Sequence, residues 1–228
     1  METATVYGNE SEVWEGWKSS GKTRDQVFLT TKIQNDNQGA ESTRKSVEKS
    51  LRKLQTDYID LLLIHWPDVH HFERTQETWQ TLVELQASGV TRSIGVSNFT
   101  IALMERLLAE SDVVPAVNQV EFHPFLYQKE LLTDCNERKI QIEAYSPVAR
   151  AKFFDHTKIA AIARKYQRTP AQIMLAWGVQ HGLVVIPKST HEDRIQENAD
   201  IFFQLEDTDM AELDQLDKNV RLVGGPPF

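Results

Sequence analysis

Seven short β-rich runs alternate with helical patterns along the whole chain, and this alternation restricts the fold more than any other feature. The runs cover residues 27–31, 58–64, 93–96, 116–120, 141–144, 184–186 and 200–203. Most are apolar throughout, as strands of a parallel sheet buried on both faces must be. Helical patterns fill the intervals, roughly 9–20, 39–54, 75–88, 100–110, 128–138, 156–181, 192–198 and 208–216. Thr100 stands before a helix whose apolar positions Ile101, Leu103, Met104, Leu107 and Leu108 keep the helical period. Thr169-Pro170 reads as an N-cap followed by proline at the first helical position, and Gly89 and Gly182 sit where helices stop.

Two architectures accommodate this order, an open doubly wound sheet and a closed (β/α)8 barrel. An open sheet that binds a dinucleotide carries a glycine-rich turn after its first strand, and this chain has no G-x-G-x-x-G. Eight helical units against seven strands favour the barrel, with the first strand absent and residues 1–3 as its tail. No linker rich in proline, glycine or serine divides residues 1–228 before Gly224-Gly225-Pro226-Pro227, so a single domain is expected.

Composition narrows the class. With 228 residues, 40% hydrophobic and 25% charged, the chain is an ordinary folded domain and not a disordered one. The single cysteine, Cys135, excludes an internal disulfide and any multi-cysteine metal site. A net charge of −8 argues against nucleic acid as a partner. No apolar run approaches the roughly 18 residues of a membrane span, and the first residues lack the pattern of a secretion signal. A cytoplasmic location is expected.

The active site of a (β/α)8 barrel lies at the C-terminal ends of its strands, so the residues found there are the candidates. They are Glu2 and Tyr7 from the tail of the first strand, then Lys32, then His65-Trp66, then Ser97-Asn98. Gln119 and Glu121 follow, then Tyr145-Ser146, then Lys188-Ser189, with Arg194 and Asn198 on the next helix. Each also has a plain structural reading. Lys32 alone reads as a surface lysine, His65 equally as a hydrogen-bonded structural histidine, and Tyr7 as a turn tyrosine. Lys188, Arg194 and Glu197 read as a solvated helix face. His70-His71 lacks spaced ligand partners and reads as an exposed loop, while Cys135, Trp14 and Trp17 read as packing residues.

Together the strand-end residues form a known constellation. The chain resembles the aldo-keto reductases, in their small bacterial form, from end to end. The segments that carry the resemblance begin with Thr3-Ala4-Thr5-Val6-Tyr7-Gly8-Asn9-Glu10, Thr30-Thr31-Lys32 and Asp57-Tyr58-Ile59-Asp60-Leu61-Leu62-Leu63-Ile64-His65-Trp66-Pro67. They continue with Ile94-Gly95-Val96-Ser97-Asn98-Phe99, Val117-Asn118-Gln119-Val120-Glu121-Phe122-His123-Pro124, Ala144-Tyr145-Ser146-Pro147 and Ile186-Pro187-Lys188-Ser189-Thr190.

The resemblance implies a (β/α)8 barrel and NADPH-dependent reduction of aldehydes or ketones. It makes Tyr7 the proton donor, Lys32 the ammonium beside it and His65 the group that orients the carbonyl, with Trp66 as a pocket wall. A free phenol, with pKa about 10, gives up its proton slowly near neutrality, and a neighbouring ammonium stabilises the phenolate. By the same resemblance Tyr145, with Ser146 beside it, stacks on the nicotinamide, and Ser97, Asn98 and Gln119 bind its carboxamide. Lys188, Ser189 and Arg194 match the contacts to the 2′-phosphate, with Glu197 and Asn198 near the adenine. Two cations and a hydroxyl suit a phosphate dianion, which favours NADPH over NADH. No metal is implied, and the family form is a monomer.

The pattern departs from the family at its start. Glu2 stands where the family carries its catalytic aspartate, and the N-terminal hairpin and most of the first strand are missing. The extra methylene of Glu2 is expected to slow the reaction, because catalytic geometry tolerates displacements of about 1 Å poorly. The open edge left by the missing strand offers a route to dimerisation. The alternatives to a reductase are a non-catalytic NADP(H)-binding regulatory protein and an inactive fragment. Short loops at Asp68–Thr75 and Val148–Asp155 predict an open pocket suited to small polar carbonyls, such as 2-oxoaldehydes or keto-sugar acids. Phe228 is expected to fray.

Overall fold

A computed structural model describes residues 1–224, which fall into two compact units, Met1–Asn118 and residues 119–224. Phe228 lies outside the described residues. In the first unit β1 (Thr30–Ile33), β2 (Ile59–Ile64) and β3 (Thr91–Ser97) run parallel in that order. Thr30 faces Leu61 and Ile33 faces Ile64, while Leu61 faces Ser93 and Ile64 faces Val96. Around them lie α1 (Glu10–Ser19), α2 (Ala40–Leu54), α3 (Phe72–Ala87) and α4 (Ile101–Leu108). Thr100 caps α4 as predicted, its hydroxyl accepting from the Leu103 N–H.

Residues 1–3 pair with β1. Glu2 forms a parallel bridge with Thr30, the Thr3 N–H donates to the Thr30 carbonyl, and the Thr30 N–H donates to the Met1 carbonyl. The strand β2 is buried along its full length, which is why it reads as an unbroken apolar run. Its one charged residue, Asp60, accepts from Arg24, Arg92 and the Leu29 N–H, so the buried carboxylate is paired on both oxygens. A fourth strand, β4 (Val117–Glu121), spans the division between the units, and Ala116 just before it donates to the Ile94 carbonyl of β3.

In the second unit β4 continues into a hydrogen-bonded order with β5 (Gln141–Tyr145) and β6 (Val184–Val185). Glu143 and Ala144 of β5 face Val184 and Val185 in a parallel register. The helices are α5 (Lys129–Glu137), α6 (Thr157–Tyr166), α7 (Pro170–Gln180), α8 (Glu192–Ala199) and α9 (Asp207–Asp214). The helical stretch expected over 156–181 is two helices. Gln167 turns left-handed at φ 53° to end the first, and Thr169 and Gln172 form a capping box that starts the second, with Pro170 at its first position.

The seventh expected strand, 200–203, does not form. Ile201 and Leu205 are buried but Phe202 is 85% exposed, so the run packs as an irregular segment without a strand partner. Six strands and nine α-helices make up the described residues. No helix among them is long and apolar enough to cross a membrane.

Candidate active site

The first unit gathers the expected catalytic side chains. Glu2 sits in the bridge to β1, and the chain then makes one tight turn, Thr5–Tyr7, closed by Gly8 at φ 71°. That positive φ suits glycine and ends the turn so that Tyr7 projects, half exposed, beside the end of β1. Lys32 is on β1, fully buried, with its ammonium 2.8 Å from Glu2 Oε1, 3.3 Å from the Thr3 carbonyl and 3.5 Å from Tyr7 Oη. The reading of Lys32 as a surface lysine is therefore corrected. Its strand position turns the side chain inward, and the Glu2 carboxylate compensates the buried charge.

His65 follows β2 directly, and its N–H donates to the Ile33 carbonyl. Its ring meets the Tyr7 ring edge to face, with centroids 5.7 Å apart. Burial, with the positive charge of Lys32 adding to it, pushes the His65 imidazole down to about 4. Near neutrality it is thus an uncharged ring. Trp66 is half-buried, and its carbonyl accepts from the Gln38 and Asn35 side chains.

Ser97 and Asn98 close β3 in the same unit. Asn98 adopts φ 64°, and its amide donates to the His65 carbonyl and to the Ser97 hydroxyl, at 3.0 Å each. Asn118, fully buried, holds this turn by donating to the Phe99 carbonyl and accepting from the Phe99 N–H. The sequence pattern assigns Asn118 no role of its own. The two bonds to a backbone nineteen residues away leave no local signal in the sequence.

In the second unit Gln119 is buried, its amide donating to Glu143 of β5. Tyr145 ends β5, and burial, aided by the Glu121 charge, pushes its phenol up while Arg221 opposes the shift. Ser146 after it is left-handed at φ 49°. Lys188 and Arg194 are exposed and form no ion pair among the described residues, which leaves both cations available to an anion. Ser189 bonds the His191 N–H, and Asn198 is half-buried. Glu197 departs from the solvated-face reading, because its carboxylate accepts the hydroxyl of Thr169 at the start of α7. Cys135 is buried, as expected, and His70 and His71 are exposed.

The ends of β1 and β2 thus bring a phenol, a buried ammonium and an uncharged imidazole beside one another in an α/β fold, a set of groups able to deliver a proton and a hydrogen bond. Residues 1–218 match the family model described as aldo/keto reductase family. The glyoxal reductase of Bacillus subtilis is 46% identical over 227 residues, covering 99% of this chain and 81% of its own. Methylglyoxal reductase DkgA of Escherichia coli is 42% identical over 229 residues, covering 99% of this chain and 82% of its own. Among solved structures, an aldo-keto reductase from Bombyx mori in complex with NADP aligns with a TM-score of 0.91 at 36% identity, over 98% of this chain and 80% of its own. The chain belongs to the aldo/keto reductase family. It is an NADP-dependent oxidoreductase of the (β/α)8 fold class, and the reaction of its class is carbonyl reduction.

Proposed function

We propose that this chain reduces small polar carbonyls, 2-oxoaldehydes foremost and keto-sugar acids in the same class, to alcohols with NADPH. The observation that carries the reading is the gathering of Glu2, Lys32, Tyr7 and His65 at the ends of β1 and β2. NADPH, when bound, supplies the hydride. As negative charge grows on the carbonyl oxygen, Tyr7 delivers the proton and His65 donates a hydrogen bond to the same oxygen. The ammonium of Lys32 faces the oxygen that Tyr7 leaves negative, and Glu2 holds that ammonium in place. Because His65 is uncharged near neutrality, it orients the substrate without competing as an acid.

The cofactor roles follow the family pattern. Ser97, Asn98 and Gln119 bind the carboxamide, and Tyr145 with Ser146 carries the nicotinamide face. Lys188, Ser189 and Arg194 take the 2′-phosphate, with Glu197 and Asn198 toward the adenine. The unpaired state of Lys188 and Arg194 among the described residues fits a dianionic group there. The half-exposed Tyr7 and the short loops favour small substrates, and the relatives named for glyoxal and methylglyoxal reduction favour 2-oxoaldehydes.

NADPH oxidation by the purified chain with methylglyoxal tests the reading. Alcohol formed in step with NADPH consumed supports it. NADPH binding without turnover favours a regulatory binder, and absence of both favours an inactive fragment. The rate cost expected of Glu2 is checked by Glu2→Asp, which should raise turnover.

A further inference from the structure

The second unit holds a buried carboxylate that the proposed reaction does not use. Glu121, the last residue of β4, is fully buried, and its side chain is bonded by His123 two residues on and by one distant segment of the chain. His123 lies with Nε2 3.1 Å from Oε1. The Leu222 N–H donates to Oε1 at 2.8 Å and the Val223 N–H donates to Oε2 at 3.0 Å. Burial alone would raise the Glu121 carboxyl, but the bonds from His123, Leu222 and Val223 outweigh it and hold the group below its usual range.

The same tail is fastened a second time. Lys218 and Val220 donate their N–H groups to the Phe125 carbonyl, at 3.3 and 2.9 Å. The residues after α9 have no regular structure, so these bonds are what fix their path. A carboxylate suits the anchor because each of its two oxygens accepts one backbone N–H. A carboxamide offers one acceptor oxygen and would turn a donor toward the other N–H. Arg221 immediately precedes the anchored pair, and its positive charge acts on the Tyr145 phenol, drawing it down against the effect of burial. Tyr145 in turn ends β5, whose carbonyl there accepts from the Phe122 N–H.

We infer that Glu121 is a positioning residue, which fixes Leu222 and Val223 so that Arg221 holds the Tyr145 ring at its hydroxyl end. The inference rests on the proposed role of Tyr145 as the face that carries the nicotinamide. Glu121 acts through the tail and touches no reacting atom. Its loss therefore weakens cofactor binding and leaves the chemical step near its normal rate.

The test compares the wild-type chain with Glu121→Gln, Arg221→Ala and the double variant. Amide hydrogen exchange at Leu222 and Val223 is measured without cofactor, and NADPH affinity is read by quenching of tryptophan fluorescence. In Glu121→Gln, exchange at both amides should accelerate at least about tenfold. NADPH binding should weaken about five- to tenfold, the scale of one lost hydrogen bond, with kcat within about twofold. Arg221 is exposed, so Arg221→Ala keeps the fold whatever Glu121→Gln does. It should weaken NADPH equally with exchange unchanged, and the double variant should bind no worse than Glu121→Gln alone. Unchanged exchange in Glu121→Gln, or full NADPH affinity in Arg221→Ala, overturns the inference. A wild-type chain that binds no NADPH rejects the proposed function and the cofactor half of this inference, while exchange still decides whether Glu121 anchors the tail.

Discussion

The ammonium of Lys32 lies 2.8 Å from a Glu2 carboxylate oxygen and 3.5 Å from the Tyr7 hydroxyl, linking a bridge residue, a strand residue and a turn residue. Lys32→Met keeps the length and packing of the side chain while removing its charge. Turnover should fall by roughly 10²-fold or more, the usual scale for losing a partner of a general acid. Glu2→Gln should reduce kcat in the same direction, with KM for the carbonyl little changed. Steady-state kinetics on variants with wild-type circular dichroism checks both.

The histidine gives the protein a pH signature. Burial and the Lys32 charge lower His65 from 6.5 to about 4, so between these values the unfolded chain binds more protons than the folded one. Unfolding free energy therefore rises with pH through that window, and the contribution is complete above 6.5. Its upper bound is about 3 kcal/mol. Melting temperatures of the wild type should fall on acidification through this range, and His65→Asn should flatten the fall.

Gly95 in β3 marks a close approach between strands. A Cβ there would lie 2.5 Å from the Val117 carbonyl oxygen and 2.8 Å from a Leu63 methyl group. Backbone cannot yield cheaply, so Gly95→Ala should cost about 1–3 kcal/mol in urea denaturation. Gly16 in α1 has open space around it, and Gly16→Ala should stabilise by up to about 1 kcal/mol.

Cofactor choice should depend on charge at the start of α8. Arg194→Ala should weaken NADPH binding about tenfold, the scale of one charge-assisted hydrogen bond, and leave NADH binding unchanged. Titration of both cofactors at two ionic strengths checks this, and the NADPH affinity of the wild type should show the steeper salt dependence.

What the sequence discloses follows from how local each feature is. The strand β2 was legible because six consecutive buried positions leave a continuous apolar run. The N-cap at Thr169 was legible because the proline that marks the first helical position follows it directly, whereas its capping-box partner Gln172 emerged only in the structure. The run at 200–203 misled because Ile201 and Phe203 resemble strand residues, whereas strand formation needs a neighbour that only the tertiary structure supplies. Lys32 alone read as exposed, since its compensating carboxylate stands thirty residues upstream. The candidate site became legible only when the strand ends were taken jointly with the family pattern. Glu121 was visible as a strand-end carboxylate, but its backbone partners Leu222 and Val223 lie about a hundred residues away and leave no periodic trace.

The most direct measurement is the turnover of methylglyoxal by Tyr7→Phe, which deletes only the hydroxyl. The proton-donor role predicts a fall in kcat of roughly 10²–10⁴-fold with NADPH affinity unchanged. A Tyr7→Phe chain that reduces methylglyoxal at the wild-type rate would contradict it.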